Sequence, residues 1–227
     1  MRVVVSVGGS VLAPGLSEGD AAERVAGYAA AIDRLGDHSI GVVVGGGRVA
    51  REYIETARSL GANEVELDDI GIAVTRLNAR LLAAALDDAA PVPAESYETA
   101  RAALEREETA VMGGIVAGQT TDAVAAALAE YVGADLLVYA TSVAGVFSAD
   151  PEDPDAVHQE QLTPRELIDI IADIEMAAGS SAPVDLLAAK IIERSGVPTV
   201  VLNGSDPDRL VEAVRDGSHG GTEIVPE

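Results

Sequence analysis

The feature that most constrains this fold is a repeated alternation of short apolar runs with helical stretches. Residues 3–7, 40–44 and 136–140 are runs of strand length rich in Val, Ile and Leu. Between them lie segments whose apolar positions recur at helical spacing, such as Ala22, Val25, Ala26, Ala29 and Ile32. Strands apolar throughout are those covered on both faces, so this order predicts a mainly parallel sheet between helical layers. We expect an α/β fold, a three-layer α/β/α sandwich, formed as one domain over residues 1–227. Strands are expected at 3–7, 40–44, 109–112, 136–140, 199–202 and 222–225, with a short candidate at 91–94. Helices are expected at 17–35, 48–60, 69–86, 97–105, 123–131, 185–195 and 207–215. Thr163, Pro164 and Glu166 are spaced as a helix start, with Thr163 as cap and Glu166 closing a capping box. The acidic, proline-containing segment 150–155 reads as a loop within the domain.

Composition excludes several classes of function. With 227 residues, 48% of them hydrophobic, the chain can bury a sizeable core. No apolar run reaches the roughly 18 residues that a membrane span needs, and the first residues enter a strand pattern rather than a signal peptide. A cytoplasmic protein without a membrane partner is expected. There is no cysteine, and His38, His158 and His219 are scattered, which excludes disulfides, thiol catalysis and a His/Cys zinc cluster. Any metal would be held by oxygen. Fifteen basic against 38 acidic residues give a net charge of −23, so nucleic acid is an unsuitable partner. Lys190 is the only lysine. A surface so acidic and so poor in lysine fits a salt-rich cytosol, where a Debye length of about 3 Å at 1 M salt screens carboxylate repulsion.

In parallel α/β sheets ligands bind at the carboxyl ends of the strands, and three such ends here are glycine-rich. Gly8-Gly9, Gly45-Gly46-Gly47 and Gly113-Gly114 with Gly118 each expose backbone N–H groups where a helix begins, an arrangement suited to phosphate. A P-loop is excluded, because the single lysine lies within LLAAKIIERS. The protein-kinase fold is excluded for lack of its strand lysine and catalytic loop. Gly45 to Ala50 fits the dinucleotide pattern G-x-G-x-x-[GA], with Glu64 and Glu66 about twenty residues on, but no buried strand precedes those acids.

Taken together, the motifs resemble the amino-acid-kinase superfamily and, within it, the uridylate (UMP) kinases, closer to the archaeal than to the bacterial branch. The resemblance runs essentially end to end. It rests on Val7-Gly8-Gly9-Ser10, VVVGGGRVAREYI at 42–54, DIGIAVTRLNARLL at 69–82, VMGG at 111–114, GQTTDAVAA at 118–126, GVFSADP at 145–151 and LLAAKIIERSG at 186–196. It implies the amino-acid-kinase fold, with acceptor-binding elements mainly amino-terminal and ATP-binding elements from about residue 135. Carried over, Gly9 and Ser10 approach the transferred phosphate, Gly46 the UMP, and Gly47 with Arg51 the ATP side. Asp68 accepts from the UMP ribose; its alternative is a helix-start carboxylate. Ile115, Val116, Ala117, Gly118, Gln119, Thr120 and Thr121 wrap the uracil and α-phosphate, the two threonines adding hydroxyls. Thr141, Phe147 and Asp150 contact ATP, and Phe147, the sole Phe, is expected near adenine.

This chain departs from the family where many members carry a lysine at the end of the first strand, because Ser6 stands there. Arg51 and Arg48, at the start of the GGG helix, are the candidates for the catalytic cation, with Mg²⁺ supplying further charge. Lys190, mid-helix, reads as structural, a catalytic role being its alternative. In the ATP loop Ser142 and Ala144 stand where Asn or Lys and Asp are usual. The resemblance implies transfer of the ATP γ-phosphoryl group to UMP, a homohexamer, and feedback by UTP. Its rivals are another small-molecule kinase of the superfamily and a non-enzymatic nucleotide-binding storage oligomer; a dinucleotide oxidoreductase is set apart by thermal shift with NAD(P) against ATP.

Overall fold

The structure, a computed structural model, describes residues 1–13, 20–149, 153–175 and 184–226. In chain order the elements are β1 (Arg2–Val7), α1 (Gly9–Leu12), α2 (Ala21–Asp33), β2 (Ser39–Val44), α3 (Gly47–Ser59), α4 (Glu64–Ala83), α5 (Tyr97–Glu105), β3 (Ala110–Met112) and α6 (Thr121–Val132). They continue with β4 (Leu136–Thr141), β5 (Val146–Phe147), β6 (His158–Gln159), β7 (Gln161–Leu162), α7 (Pro164–Glu175), α8 (Leu186–Ser195), β8 (Thr199–Asn203), α9 (Asp208–Asp216) and β9 (Thr222–Ile224).

Seven strands form one sheet in the order β3-β2-β1-β4-β8-β9-β7, parallel throughout except that β9 runs against β8. β5 and β6 make a separate antiparallel pair. Val3, Val5 and Val7 face one side of the sheet, where α2, α4 and α9 cover them through Ile32, Leu82 and Leu210. Val4 faces the other side, in the core formed with α5, α6, α7 and α8 through Leu104, Leu128, Leu167 and Ile192. The apolar strands are thus covered on both faces by helices, the arrangement their composition predicts. Such a core is a sum of many aliphatic contacts, each fully buried Val or Leu contributing about 1.5–3 kcal/mol.

The chain passes from β1 outward to β2 and β3, then returns to place β4 on the other side of β1. A crevice therefore opens at the carboxyl ends of β1 and β4, the switch point at which open α/β sheets bind ligands.

Two expectations are corrected. The 91–94 segment forms no strand: Pro91 and Pro93 have no N–H to give a ladder, and only isolated bridges, Ala89 with Thr109 and Ala94 with Met112, join it to the edge. The helix expected from residue 69 begins at Glu64, because Asn63 Oδ1 accepts from Val65 N–H and Glu66 N–H while Glu66 Oε2 accepts from Asn63 N–H. As the sequence indicates, no strand precedes Glu64 and Glu66: α3 leads into α4 and puts them on a helix instead of a strand tip, which sets the dinucleotide pattern aside. The expected start of the 17–35 helix lies outside the described residues, and its last described turn ends at Asp33. The Thr163 capping box forms as read, Glu166 Oε2 accepting from Thr163 N–H at 2.8 Å and Thr163 Oγ1 from Glu166 N–H at 3.2 Å.

Candidate active site

Backbone hydrogen bonds carry the sheet ladder past the strand ends and set the loops side by side. Gly45 N–H donates to Val7 O at 2.9 Å, Gly8 N–H to Ala140 O at 2.9 Å, and Gly204 N–H to Thr141 O at 2.8 Å. The loops after β1 and β2 then touch backbone to backbone. A Cβ on Gly9 would lie 2.1 Å from Gly47 N and 2.6 Å from the Gly45 carbonyl carbon, so only glycine permits the approach. Gly9, Ser10, Gly46 and Gly47 are thereby brought together. α3 starts there with Gly46 as its cap, a residue that brings no side-chain oxygen to the first N–H groups, which leaves an electropositive end. Arg48 and Arg51 are exposed on its first turns. Arg48 Nε lies 3.4 Å from Glu52, whereas Arg51 has no ion pair among the described residues.

α4 backs this edge with polar side chains on one face. Asn78, 2% exposed, donates from Nδ2 to Gly45 O at 2.9 Å and Gly46 O at 3.3 Å. Thr75 Oγ1 accepts from Gly114 N–H at 2.7 Å, and a Cβ on Gly113 would lie 2.6 Å from that same oxygen. Arg76 donates to the Gly114 and Ile115 carbonyls. Asp68 sits inside α4 rather than at its start, and its Oδ2 accepts from Gly118 N–H at 2.7 Å. Across the loop, Gln119 Nε2 donates to Tyr97 Oη at 3.1 Å. The 113–121 loop is thus fixed by α4 and α5 on the near side of the crevice.

The helices α6 and α8 bring their amino ends to the same edge. Thr120 caps α6, accepting from Ala123 N–H at 3.1 Å, and its hydroxyl donates to Asp185 Oδ2. Asp185 Oδ1 in turn caps α8 by accepting from Leu187 N–H at 2.7 Å and Ala188 N–H at 3.0 Å. The Thr120 hydroxyl, expected on the acceptor, thus stands between two helix caps. Thr121 opens α6. Beneath them Ser6, 3% exposed, donates to Asp122 Oδ1 at 3.2 Å. Burial, reinforced by the Asp185 carboxylate, pushes Asp122 up to about 7. Lys190 lies exposed on α8.

On the other side of the crevice Thr141 ends β4, its Oγ1 accepting from Val143 N–H at 3.2 Å. Phe147 lies in β5, its ring tilted 59° against His158 at 5.1 Å between centroids. Asp150 lies outside the described residues. Sequence reasoning singled out the loops but assigned no role to Thr75, Arg76, Asn78, Asp122 or Asp185. The available signal was a pair of polar residues, Thr75 and Asn78, buried on an otherwise apolar helix face.

A recess at the opposite, amino-terminal end of the strands is lined by Asp33, Asp37, Asp87, Asp88, Glu107 and Glu108, carboxylates that would repel phosphate. Among the described residues no helix is long and apolar enough to cross a membrane.

The amino acid kinase family model matches residues 1–203. A uridylate kinase of Halobacterium salinarum is 68% identical, covering 100% of this chain and 94% of that protein. One from Haloarcula marismortui is 67% identical with 100% of both covered. The crystal structure of uridylate kinase from Archaeoglobus fulgidus superposes with a TM-score of 0.89 at 44% identity, covering 99% of this chain and 100% of that one. The chain belongs to the amino acid kinase family, in its uridylate kinase branch.

Proposed function

We propose that the protein transfers the γ-phosphoryl group of ATP to the α-phosphate of UMP, giving UDP and ADP, a step in pyrimidine nucleotide synthesis. The observation that carries this reading is the convergence of three glycine loops and the open end of α3 at one sheet edge, in a chain two-thirds identical along its length to uridylate kinases. An ionised oxygen of the UMP phosphate attacks the γ-phosphorus, the bond to the β,γ-bridging oxygen breaks, and ADP leaves. No side chain has to become covalently modified or to act as a strong base.

The chain's part is alignment and charge neutralisation. Backbone N–H groups of Gly9, Ser10 and Gly47 face the transferred phosphate, and Arg51, with Arg48, supplies the cation. Gly46 and the 113–121 loop hold UMP, Asp68 offering its second oxygen to the ribose. Thr141, Phe147 and Asp150 belong to the ATP side. Mg²⁺, when bound with ATP, supplies positive charge to the phosphates. The same reading carries a single-domain, cytoplasmic homohexamer with UTP as feedback ligand, on the strength of the family resemblance.

The test is a coupled assay of UMP, CMP and AMP as acceptors at high KCl. UMP should show the highest kcat/KM. CMP, or a carboxylic acid, phosphorylated faster than UMP would overturn the assignment.

A further inference from the structure

The loop after β3 must present N–H groups to one side and dispose of its carbonyls on the other. Arg76 takes the carbonyls. Its Nε donates to Gly114 O at 3.1 Å and its Nη2 to Ile115 O at 3.4 Å. In a trans peptide the C=O and N–H of one unit point in opposite directions. A guanidinium that draws both carbonyls toward α4 therefore turns the Ile115 and Val116 N–H groups away from it. Neither N–H has an acceptor among the described residues. These two amides lie between fixed points, with Gly114 N–H on Thr75 at 2.7 Å and Gly118 N–H on Asp68 at 2.7 Å. Apart from the loop, Arg76 has among the described residues only a long contact, with Nη1 3.8 Å from Glu95.

We propose that Arg76 is a positioning residue for the acceptor nucleotide, aiming the Ile115 and Val116 N–H groups as paired donors to a phosphate or nucleobase oxygen. The inference rests on the acceptor role proposed above for the 113–121 loop. The guanidinium also polarises the two amides whose carbonyls it holds, making their N–H groups stronger donors. The role needs a planar fork that spans two adjacent carbonyls, which a lysine ammonium does not provide.

The experiment compares Arg76→Ala, Arg76→Lys and Glu95→Gln with the wild type at high KCl, reading kcat, the KM for UMP and for ATP, and amide exchange at Gly118 and Gln119. Arg76→Ala and Arg76→Lys should both raise the UMP KM by about tenfold or more, the loss of one or two charge-assisted hydrogen bonds. Their kcat and ATP KM should stay within a few-fold, while exchange at Gly118 and Gln119 accelerates. Glu95→Gln should keep the wild-type UMP KM. The proposal is overturned if Arg76→Ala leaves the UMP KM within twofold, if lysine restores it, or if both KM values rise together as the melting temperature falls. A wild type that leaves UMP unphosphorylated removes the functional reading instead. In that case the exchange rates still decide whether Arg76 holds the loop, and unchanged rates overturn it.

Discussion

Ser6 is the residue on which the charge arrangement of the site turns. It places a small hydroxyl, 3% exposed and hydrogen-bonded to Asp122, where a cation is common in the family. The phosphates must then be met from elsewhere, and Arg51 at the open end of α3 has no competing ion pair among the described residues. Arg51→Ala should lower kcat by roughly 10³-fold, the low end of a transition-state arginine, with little change in UMP affinity. Arg48→Ala is the control; if it or Lys190→Ala abolishes turnover while Arg51→Ala stays within a few-fold, the cation is the other side chain. Asp122 gives a second handle. Its folded value of about 7 lies above the usual carboxylate value near 4, so between those two pH values the folded state keeps a proton that the unfolded state has lost. Stability should therefore fall by about 1.4 kcal/mol per pH unit across that window and lose nothing further above it. Asp122→Asn removes the effect, so its melting temperature should exceed that of the wild type by a margin that grows from pH about 4 to about 7. Parallel melting curves would refute the assignment. The glycine loops were legible because each is a contiguous string after an apolar run. Thr75, Arg76 and Asn78 were not, because their partners lie 39, 38 and 33 residues away in sequence.

Elements were legible in proportion to how far local pattern alone decides them. β1, β2, β4 and β8 begin and end within a residue or so of their apolar runs, because burial on both faces keeps nearly every position apolar, Ser6 being the exception inside β1. The two-residue strands β5, β6 and β7 carry too few side chains to form a period, and tertiary pairing creates them. α4 is the instructive case. Asn63 followed three residues later by Glu66 is a helix-start pattern, yet Glu64, Glu66, Asp68 and Asp69 mask the apolar face where the helix begins. Starting α4 at Glu64 changes the meaning of Asp68, which now projects from within the helix onto Gly118. It places Asp68, Thr75 and Asn78 on related turns, three and seven residues apart, so one helix face supports both the GGG loop and the acceptor loop. The short strand expected at 91–94 failed for a different reason: Pro91 and Pro93 remove the donors that a ladder needs, and Val92 between them is left exposed.

For the whole molecule, a net charge of −23 has to be borne by a fold whose cations are mostly spent locally. Arg24 with Asp20, Arg48 with Glu52 and Arg101 with Glu105 are pairs four residues apart on exposed surfaces, where water and salt screen them and they add little to stability. They do not offset the carboxylate excess. The recess at the amino-terminal end of the strands concentrates it, and burial, with the charges of Asp87 and Asp88, pushes Asp33 up, opposed only by the Asp87 N–H. Screening should therefore stabilise the fold. The Debye length falls from about 10 Å at 0.1 M to about 3 Å at 1 M, shorter than most spacings between surface charges. Melting temperature and activity should rise together as KCl is raised. Charge repulsion makes a further demand that a general salting-out effect does not. Asp122, pushed up to about 7, holds its proton at pH about 5 and has lost it at pH about 8, so the rise in melting temperature with KCl should be shallower at the lower pH. Melts over a KCl series at both pH values check this. Equal slopes would mean that salt acts by strengthening apolar burial instead, since that effect does not depend on carboxylate ionisation, and a flat response at both would remove the salt-adapted reading of the surface.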